Sequence, residues 1–361
     1  MDFTSKYNPS STNISGSFTW KSPSNIALVK YWGKKPVQIP ANPSISFTLD
    51  ACATKTKLSF SKRKKTTEPF DFELLFEGKN REDFKPKITK FLERIEKFMP
   101  FVRDFHFVIE TSNSFPHSSG IASSASGMSA LALCLMSIEK KMLPEMSDSY
   151  FKQKASFLAR LGSGSASRSI EGGLVTWGLH EMLPDSSNDF ASTYPFEIHP
   201  VFKNYHDTIL LVDKGEKKVS STVGHDLMHN HPFAASRFKQ ANDNLFKLKS
   251  VLKSGDLASF MAIVESEALS LHAMMMTSMP YFILMKPATM QIIEKIWEFR
   301  KKTGLPVCFT LDAGANVHVL YPETDYVKIY EFIKNELVAY CQNGHYICDR
   351  VGQGATLLTK E

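Results

Sequence analysis

The sequence predicts an α+β fold in two parts. Short apolar segments typical of strands alternate with longer segments of helical periodicity along a chain of 361 residues. This length allows two domains or one large intertwined unit. Near residue 200 the pattern changes, because strands and Ser/Gly-rich loops give way to a series of long helices. We therefore predict an N-terminal part at residues 1–200 and a C-terminal part at residues 201–361.

The composition indicates an ordinary globular protein that handles small anions. Hydrophobic residues make up 43%, charged residues 22%, and the net charge is +6. No Lys/Arg block is interleaved with aromatic residues, which argues against a nucleic-acid surface. The five cysteines are scattered without a CxxC pair, a usage typical of a reducing compartment without structural zinc. Neither a signal peptide nor a membrane span is predicted, since no apolar run approaches roughly 18 residues. We expect a cytoplasmic protein.

The first elements are predicted to be strands. Segments 18–20 and 26–29 are separated by the polar residues 22–25, and Lys30, Tyr31 and Lys34 follow directly. Cations crowded beside aromatic side chains at a strand end favour an anion site, although a lysine on a turn is also an ordinary surface charge. The other predicted elements of this region are strands at 40–49, 57–60 and 70–76, a solvated hairpin tip at the basic run 62–65, and a helix at 88–98.

Residues 111–130 form a Ser/Gly/Ala-rich loop between a strand and a helix. An apolar strand at 105–109 precedes it, and Met128, Leu131 and Leu135 follow at helical spacing. Small side chains let the N–H groups of a helix start approach a ligand, and these unpaired donors favour phosphate. The alternative is that Ser and Gly only cap the helix and fill the turn. The loop is not a Walker A motif, because no Gly-Lys-Ser/Thr follows its glycine.

A second small-residue loop, residues 163–173, follows a helix predicted at 150–161. Its composition permits another cradle of backbone and hydroxyl groups. Arg168 lies within it and offers a planar donor pair that suits a carboxylate or a phosphate. Two such cradles in one chain are hard to explain as turns alone. A strand at 174–177 completes the first part.

The second part contains one further candidate for catalysis. A strong apolar strand at 306–311 leads directly into Asp312 and the sequence Ala-Gly-Ala. A carboxylate at a strand tip can reach a shared cleft, although a lone turn of this kind is often structural. The remaining predicted elements are strands at 208–212 and 317–320, a polar loop at 214–222, helices at 233–252, 257–274, 289–303 and 326–340, and a glycine-rich turn at 351–356.

Four segments together match one family: residues 25–34, 113–130, 160–170 and 312–316. Through them the chain resembles the diphosphomevalonate decarboxylase family of the GHMP kinase superfamily. The segments stand in the family's order and extend over most of the chain. Pro43, Glu171 and the Pro-His-Ser-Ser-Gly of residues 116–120 depart from the common family pattern. These departures flank key positions without deleting one, so they bear on substrate preference more than on reaction type.

The resemblance implies a GHMP-kinase-like fold with the active site in the cleft between its two parts. The N-terminal part should be like domain 2 of ribosomal protein S5, and the C-terminal part ferredoxin-like. It also implies ATP and Mg2+ as cofactors, mevalonate 5-diphosphate as the substrate, and a homodimer without nucleic-acid or membrane partners. In the implied reaction the tertiary 3-hydroxyl is phosphorylated, the new phosphate leaves and CO2 is lost, which yields isopentenyl diphosphate.

Roles for particular residues follow from the same resemblance. The expected catalytic residues are Asp312, Lys30, Arg168 and Asn25. The expected substrate-binding residues are Tyr31, Lys34, Ser163, Ser165 and again Arg168. The nucleotide is expected at Asn113, Gly120, Ala122, Ser123, Ser124, Ser126, Lys217, Lys218 and Ser221, with Ser124 also the candidate metal ligand.

The residue types suit this chemistry. A tertiary alcohol is a hindered nucleophile, so a positioned carboxylate is needed to take or orient its proton, and Asp312 is the candidate. Departure of phosphate from the same carbon builds positive charge, which a nearby carboxylate also stabilises. Two alternatives remain at this point. One is a kinase of the same superfamily that acts on mevalonate or a phosphomevalonate, and the other is a non-catalytic anion-binding relative.

Overall fold

Most strands of the first part form one large sheet. The computed structural model describes residues 2–5, 14–64, 67–116, 121–215 and 221–361. The strands before residue 200 are β1 (Gly16–Val29), β2 (Lys34–Lys35), β3 (Ile39–Pro40), β4 (Ser44–Lys62), β5 (Asp71–Phe76), β6 (Lys79–Asn80), β7 (Phe105–Asn113), β8 (Leu174–Trp177) and β9 (Ser192–Thr193). All except the β2–β3 ribbon belong to an eight-stranded sheet, which a C-terminal strand completes beside β1.

A second, antiparallel sheet organises the C-terminal part. Its strands are β10 (His206–Leu210), β11 (Cys308–Leu311), β12 (Val317–Tyr321) and β13 (Tyr346–Arg350), in the order β11-β12-β10-β13. The last strand, β14 (Thr356–Lys360), returns to the first sheet and pairs with β1. A cut at residue 200 therefore separates the two sheets except for β14, and the boundary itself stays a prediction.

Helices cover both sheets. They are α1 (Lys85–Ile95), α2 (Ser123–Met142), α3 (Asp148–Gly162), α4 (Ser221–Asp226), α5 (Ala234–Ser254), α6 (Leu257–Met276), α7 (Pro287–Thr303) and α8 (Tyr326–Phe332). The first three pack on the first sheet in one apolar core, and α7 and α8 pack on the second sheet in another. Between them, Phe47 of β4 packs with Leu245 of α5 and Phe260 of α6 in a core that joins the two parts. The predicted α+β fold is confirmed.

Residues 22–25 do not interrupt the first strand, as the sequence suggested; β1 runs through them. Ser22 and Ser24 are buried, and their hydroxyls donate to the backbone oxygens of Ser169 (2.8 Å) and Ile121 (2.6 Å). The polar side chains are therefore satisfied inside the fold, where they tie β1 to the two small-residue loops. The pairing with β4 shifts register between Pro23 and Asn25, which accommodates the proline.

The basic run 62–65 is not the tip of a hairpin. β4 and β5 are not neighbours, because β7 lies between them, antiparallel to β4 and parallel to β5. The chain therefore crosses over from β4 to β5 on the far side of β7. Lys65 lies outside the described residues. The misprediction has a simple cause, since sequence proximity favours a hairpin and the intervening strand comes from 30 residues further along the chain.

The sequence patterns also missed two C-terminal strands. The side chains of β14 are all exposed, so this edge strand carries no apolar alternation that could reveal it. The sequence pattern of β13 also gives no alternation of buried and exposed side chains, because only one of its residues, Asp349, is buried. In the described ranges, none of the helices combines the length and the hydropathy that a membrane span needs.

Candidate active site

A cavity of about 570 Å³ lies where the two parts of the chain meet. The segment after β1, the start of α2 and the loop after α3 line it from the first part. His225 of α4, Leu271 of α6 and the Asp312 turn line it from the second part. The strand ends and helix starts that the sequence singled out therefore meet in one place.

Lys30 and Asp312 face each other in this cavity because each directly follows a buried strand end. The Lys30 Nζ lies 3.7 Å from an Asp312 carboxylate oxygen. The lysine side chain is 2% exposed and the aspartate side chain 29%, so the carboxylate is the member of the pair open to a ligand. The Lys30 Nζ has no hydrogen-bond partner among the described residues. Burial lowers the pKa of Lys30 to about 8, against the opposing effects of Asp312 and Glu267.

Two residues that the sequence patterns did not reveal bind the backbone of Lys30 and Asp312. The fully buried Glu267 accepts the Lys30 N–H at 2.9 Å and also binds Arg237 and Asn244. His272 hydrogen-bonds the carbonyl oxygen of Asp312 through its Nε2, at 3.0 Å. Both residues belong to α6, whose sequence reads as an ordinary apolar helix. No local pattern marks them, because their partners are about 240 and 40 positions away.

Arg168 is a buried cation, and the described residues that accept hydrogen bonds from it are all neutral. Its guanidinium donates to the hydroxyls of Ser46 (2.9 Å) and Ser44 (2.6 Å) and to the Asn25 amide oxygen (3.4 Å). Burial lowers the pKa of Arg168 to about 10, with Asp312 and Tyr31 opposing. A buried guanidinium without a bound carboxylate or phosphate is a strong site for an anionic ligand, since the cost of its desolvation has already been met by the fold.

Asn25 orients Arg168 and the second loop. Besides accepting from Arg168, its amide nitrogen donates to the Ser165 carbonyl oxygen (3.1 Å) and to the Ser169 hydroxyl (2.8 Å). Asn25 lines the cavity, but no contact with Asp312 is recorded among the described residues. Its position therefore supports a role beside Arg168 more directly than the expected orientation of Asp312.

The remaining expected substrate-binding residues gather near Arg168. Tyr31, Lys34, Ser163 and Ser165 all line the cavity. The Tyr31 hydroxyl is buried and has no hydrogen-bond partner among the described residues, and burial raises its pKa. Lys34 pairs with Asp226 of α4 at 3.6 Å, and both side chains reach solvent or the cavity. Two donors and two hydroxyls are thus directed at the same volume as the guanidinium.

The start of α2 forms another wall of the cavity. Ala122 precedes the helix in the left-handed conformation, with φ 46° and ψ 40°, and lacks a side chain that could cap it. The N–H groups of Ala125 and Ser126 both turn back to the Ala122 carbonyl. Among the described residues, the N–H groups of Ser123 and Ser124 have no acceptor, as is usual in the first turn of a helix. This arrangement suits phosphate oxygens.

The hydroxyls of this loop point in different directions. The Ser124 Oγ lies 3.3 Å from the Ser163 Oγ, so the two small-residue loops meet at the cavity wall. Ser126 does not line the cavity; it is fully buried, and its hydroxyl lies 2.6 Å from that of Thr54 on β4. Asn113 does line the cavity and accepts from the same threonine. The geometry thus places Ser126 in the packing of α2 on the sheet rather than beside a phosphate.

Some expected nucleotide residues lie outside the part of the chain that the structure describes. These are Gly120, Lys217 and Lys218. Ser221 begins α4, and the structure does not describe its side chain. The helices that follow these residues in the sequence, α2 and α4, both border the cavity.

Apolar side chains and one lysine line the end of the cavity beyond α2. The apolar residues at this end are Leu74, Phe76, Phe84, Ile88, Ile109, Met128 and Leu131. Lys87 of α1, an exposed residue, lines the same volume, and no described carboxylate pairs with it. The sequence pattern did not reveal this end, because Ile88 and its neighbours read as the core face of an amphipathic helix.

Comparisons with known proteins identify one family for both parts of the chain. Residues 22–188 match the family model of the diphosphomevalonate decarboxylase-like N-terminal domain, and residues 208–355 that of the mevalonate 5-diphosphate decarboxylase C-terminal domain. The diphosphomevalonate decarboxylase of Ganoderma lucidum is 30% identical over 332 residues, which cover 87% of this chain and 80% of the relative.

Solved structures show the same likeness over the whole fold. Mevalonate diphosphate decarboxylase from Staphylococcus aureus has 27% sequence identity and a TM-score of 0.80, covering 96% of this chain and 99% of the other. A structure described as MDDEF in complex with MVAPP, AMPPCP and magnesium has 27% identity, a TM-score of 0.81 and the same coverage of both chains. Because both halves are matched in order and along nearly their full length, the chain belongs to the diphosphomevalonate decarboxylase family.

Proposed function

We propose that this chain catalyses the ATP-dependent decarboxylation of mevalonate 5-diphosphate to isopentenyl diphosphate in the mevalonate pathway. The observation that carries the proposal is the Lys30–Asp312 pair, which lies in one cavity with both a buried unpaired guanidinium and the donor-rich start of α2. Family membership supports it, as does the neighbour described as a complex with MVAPP, AMPPCP and magnesium. A diphosphate, a carboxylate and a nucleotide each find suitable groups there.

Asp312 is the group we assign to the 3-hydroxyl. Its carboxylate is open to the cavity and is fixed by Lys30 on one side and by the His272 contact to its own carbonyl on the other. From this position it accepts the hydroxyl proton as the oxygen attacks the γ-phosphate of ATP. Once that proton has passed to a phosphate oxygen of the 3-phosphorylated intermediate, the regenerated carboxylate stabilises the positive charge that grows on the tertiary carbon as the phosphate leaves.

Arg168 and Lys30 are assigned to the substrate carboxylate that departs as CO2. The planar donor groups of Arg168 match a carboxylate, and Asn25, Ser44 and Ser46 hold them in place. Tyr31, Lys34, Ser163 and Ser165 are assigned to the diphosphate. The fold already bears the free-energy cost of burying these cations. Binding of the two anionic groups of the substrate therefore leaves binding energy available to position the reacting atoms.

The start of α2 is assigned to the phosphates of ATP, and the apolar end of the cavity to its base. Mg2+ fits this wall, because the Ser124 hydroxyl lies at the cavity and phosphate oxygens supply most of its ligands in such sites. No group of three or more acidic, His or Cys side chains that could hold a metal occurs in the described ranges. When bound, Mg2+ neutralises phosphate charge during transfer. Asn113, Gly120, Ala122, Ser123, Lys217, Lys218 and Ser221 remain proposed nucleotide contacts.

The proposal also includes a cytoplasmic location and a homodimer. The five cysteines are all free thiols, as suits a reducing compartment. The homodimer rests on the family resemblance.

Incubation with mevalonate 5-diphosphate, ATP and Mg2+ tests the function. We expect CO2, ADP and phosphate in equal amounts, with isopentenyl diphosphate as the organic product. ADP formed without CO2 would show a kinase instead, and the absence of both products would favour a non-catalytic relative.

A further inference from the structure

His225 is a cavity residue that neither the sequence patterns nor the family resemblance assigned. It lies in α4, and its ring packs between Tyr31 and Trp32, with centroid distances of 4.3 and 4.6 Å. The preceding Gly224 leaves no room for a side chain, since a Cβ there would lie 2.6 Å from the Trp32 ring. The ion pair of Asp226 with Lys34 holds the same helix turn against the segment after β1. The imidazole is therefore fixed in position.

The hydrogen bonding of the ring determines its tautomer. The Gly33 N–H donates to the His225 Nδ1 at 2.9 Å, so this nitrogen carries a lone pair. In the neutral ring the proton then lies on Nε2, and no described residue accepts a hydrogen bond from it. Burial and the nearby Lys34 and Arg168 lower the pKa of His225 to about 3. Asp226, the next residue in the chain, pairs with Lys34 at 3.6 Å. The His225 side chain is thus a neutral donor in a cationic cavity.

We propose that the Nε2–H of His225 binds the diphosphate group of mevalonate 5-diphosphate, beside Tyr31 and Lys34. This inference rests on the proposed function. Of the described histidines, only His225 lines the cavity, and its ring contacts one of the expected diphosphate residues directly. A neutral donor adds a hydrogen bond to an anion without adding another cation beside Lys30, Lys34 and Arg168.

Two substitutions separate this role from a purely structural one. In His225→Asn the amide oxygen can replace Nδ1 as the acceptor for Gly33, but nothing replaces the Nε2–H. In His225→Gln the amide N–H can reach the Nε2 position, but the acceptor for Gly33 is lost. Because a hydrogen bond to a charged group contributes more than a neutral one, we expect His225→Asn to weaken substrate binding roughly 10-fold or more, and His225→Gln about 3-fold or less.

The measurement is the dissociation constant of mevalonate 5-diphosphate by calorimetry, without nucleotide. His231→Asn is the matched control. His231 also accepts a backbone N–H at Nδ1, from Phe233 at 3.1 Å, but it does not line the cavity. Its substitution should leave substrate affinity unchanged. Unchanged affinity in both His225 variants would overturn the proposal, and so would a larger loss in His225→Gln than in His225→Asn.

The wild-type enzyme provides a test that does not depend on folded variants. With 15N-labelled histidine, addition of mevalonate 5-diphosphate should shift the Nε2–H signal of one imidazole that remains neutral. If no imidazole signal changes at saturation, His225 does not contact the substrate. The two failures are distinguishable. Wild-type enzyme that releases CO2 but shows no imidazole change would refute this inference alone, whereas enzyme that neither binds mevalonate 5-diphosphate nor releases CO2 would refute the proposed function together with it.

Discussion

The two ends of the cavity solve the problem of binding anions in different ways. At the end formed by Lys30, Arg168 and Asp312, buried side chains carry full charges that are held by residues distant in sequence. At the end formed by the start of α2, backbone N–H groups and apolar side chains predominate, and Lys87 is the one lysine that the described residues place there. The first arrangement fixes its side chains in place but requires folding free energy to bury charges. The second uses groups that are close in sequence and buries no charge of its own. We propose that the charged end carries the chemistry, whereas the α2 end provides affinity for the nucleotide.

Apart from the loss of Asp312 itself, the largest expected effect comes from removing the buried cation of the charged end. Lys30→Met keeps the length of the side chain but leaves Asp312 and the substrate carboxylate without their shared counter-charge. Loss of one preorganised electrostatic contact of this kind lowers turnover by roughly 100- to 1,000-fold. Steady-state CO2 release measures it.

Lys34→Met is the matched control for that comparison. Lys34 lies four residues further along, is partly exposed and already pairs with Asp226. Its loss should raise the Michaelis constant for the substrate much more than it lowers turnover, because a diphosphate contact is equal in ground and transition states. Equal losses of turnover in the two variants would remove the distinction between reacting and binding cations.

A smaller effect is expected when the buried guanidinium is replaced by an ammonium. Arg168→Lys keeps the charge but cannot donate to Ser44, Ser46 and a carboxylate together. We expect the Michaelis constant for mevalonate 5-diphosphate to rise about 10- to 100-fold, the range of one or two lost hydrogen bonds to charged groups. The constant for ATP, measured in the same assays, should change little. A comparable rise for ATP would mean that Arg168 serves the nucleotide end.

The pKa of Lys30 predicts a pH dependence of the charged end. With a pKa of about 8, the free enzyme loses this cation as the pH rises through 8. The ratio kcat/KM should therefore fall, approaching tenfold per pH unit, and the falling limb should be absent in Lys30→Met. The effect on stability has the opposite sign. Between about pH 8 and the ordinary lysine pKa of 10.5 the unfolded chain binds more protons than the folded one, so the free energy of unfolding rises with pH.

The smallest effect belongs to the α2 end, where single hydroxyls add to backbone donors. Ser124→Ala should weaken ATP-Mg2+ binding by roughly 2- to 10-fold, because one hydrogen bond is lost and the N–H groups remain. Ser126→Ala is the matched control, because Ser126 lies two residues further along the same helix and does not line the cavity. Its hydroxyl bonds Thr54, so its loss should lower the melting temperature and leave nucleotide affinity unchanged. The reverse pattern would contradict the orientation of α2.

The contrast between the two ends also explains what the sequence could predict. Lys30 and Asp312 stand at the tips of apolar strands, and Arg168 stands alone in a small-residue loop, so local pattern and family resemblance both pointed to them. Glu267 and His225 carry no such mark, because the contacts that define them join distant elements. The same holds for the fold. Strong helices such as α5 to α7 were predicted, whereas the exposed β14 and the crossover after β4 depend on pairing that no local pattern contains.

The most direct test of the central claim is a single-turnover experiment on Asp312→Asn. Calorimetry should show that mevalonate 5-diphosphate and a non-hydrolysable ATP analogue bind within a few-fold of wild type, since the amide keeps the shape of the side chain. With ATP and saturating substrate, CO2 release should be slower by roughly 100- to 10,000-fold, the range of a positioned acid or base. CO2 release at a near-normal rate from the saturated variant would remove Asp312 from the chemistry and contradict the account.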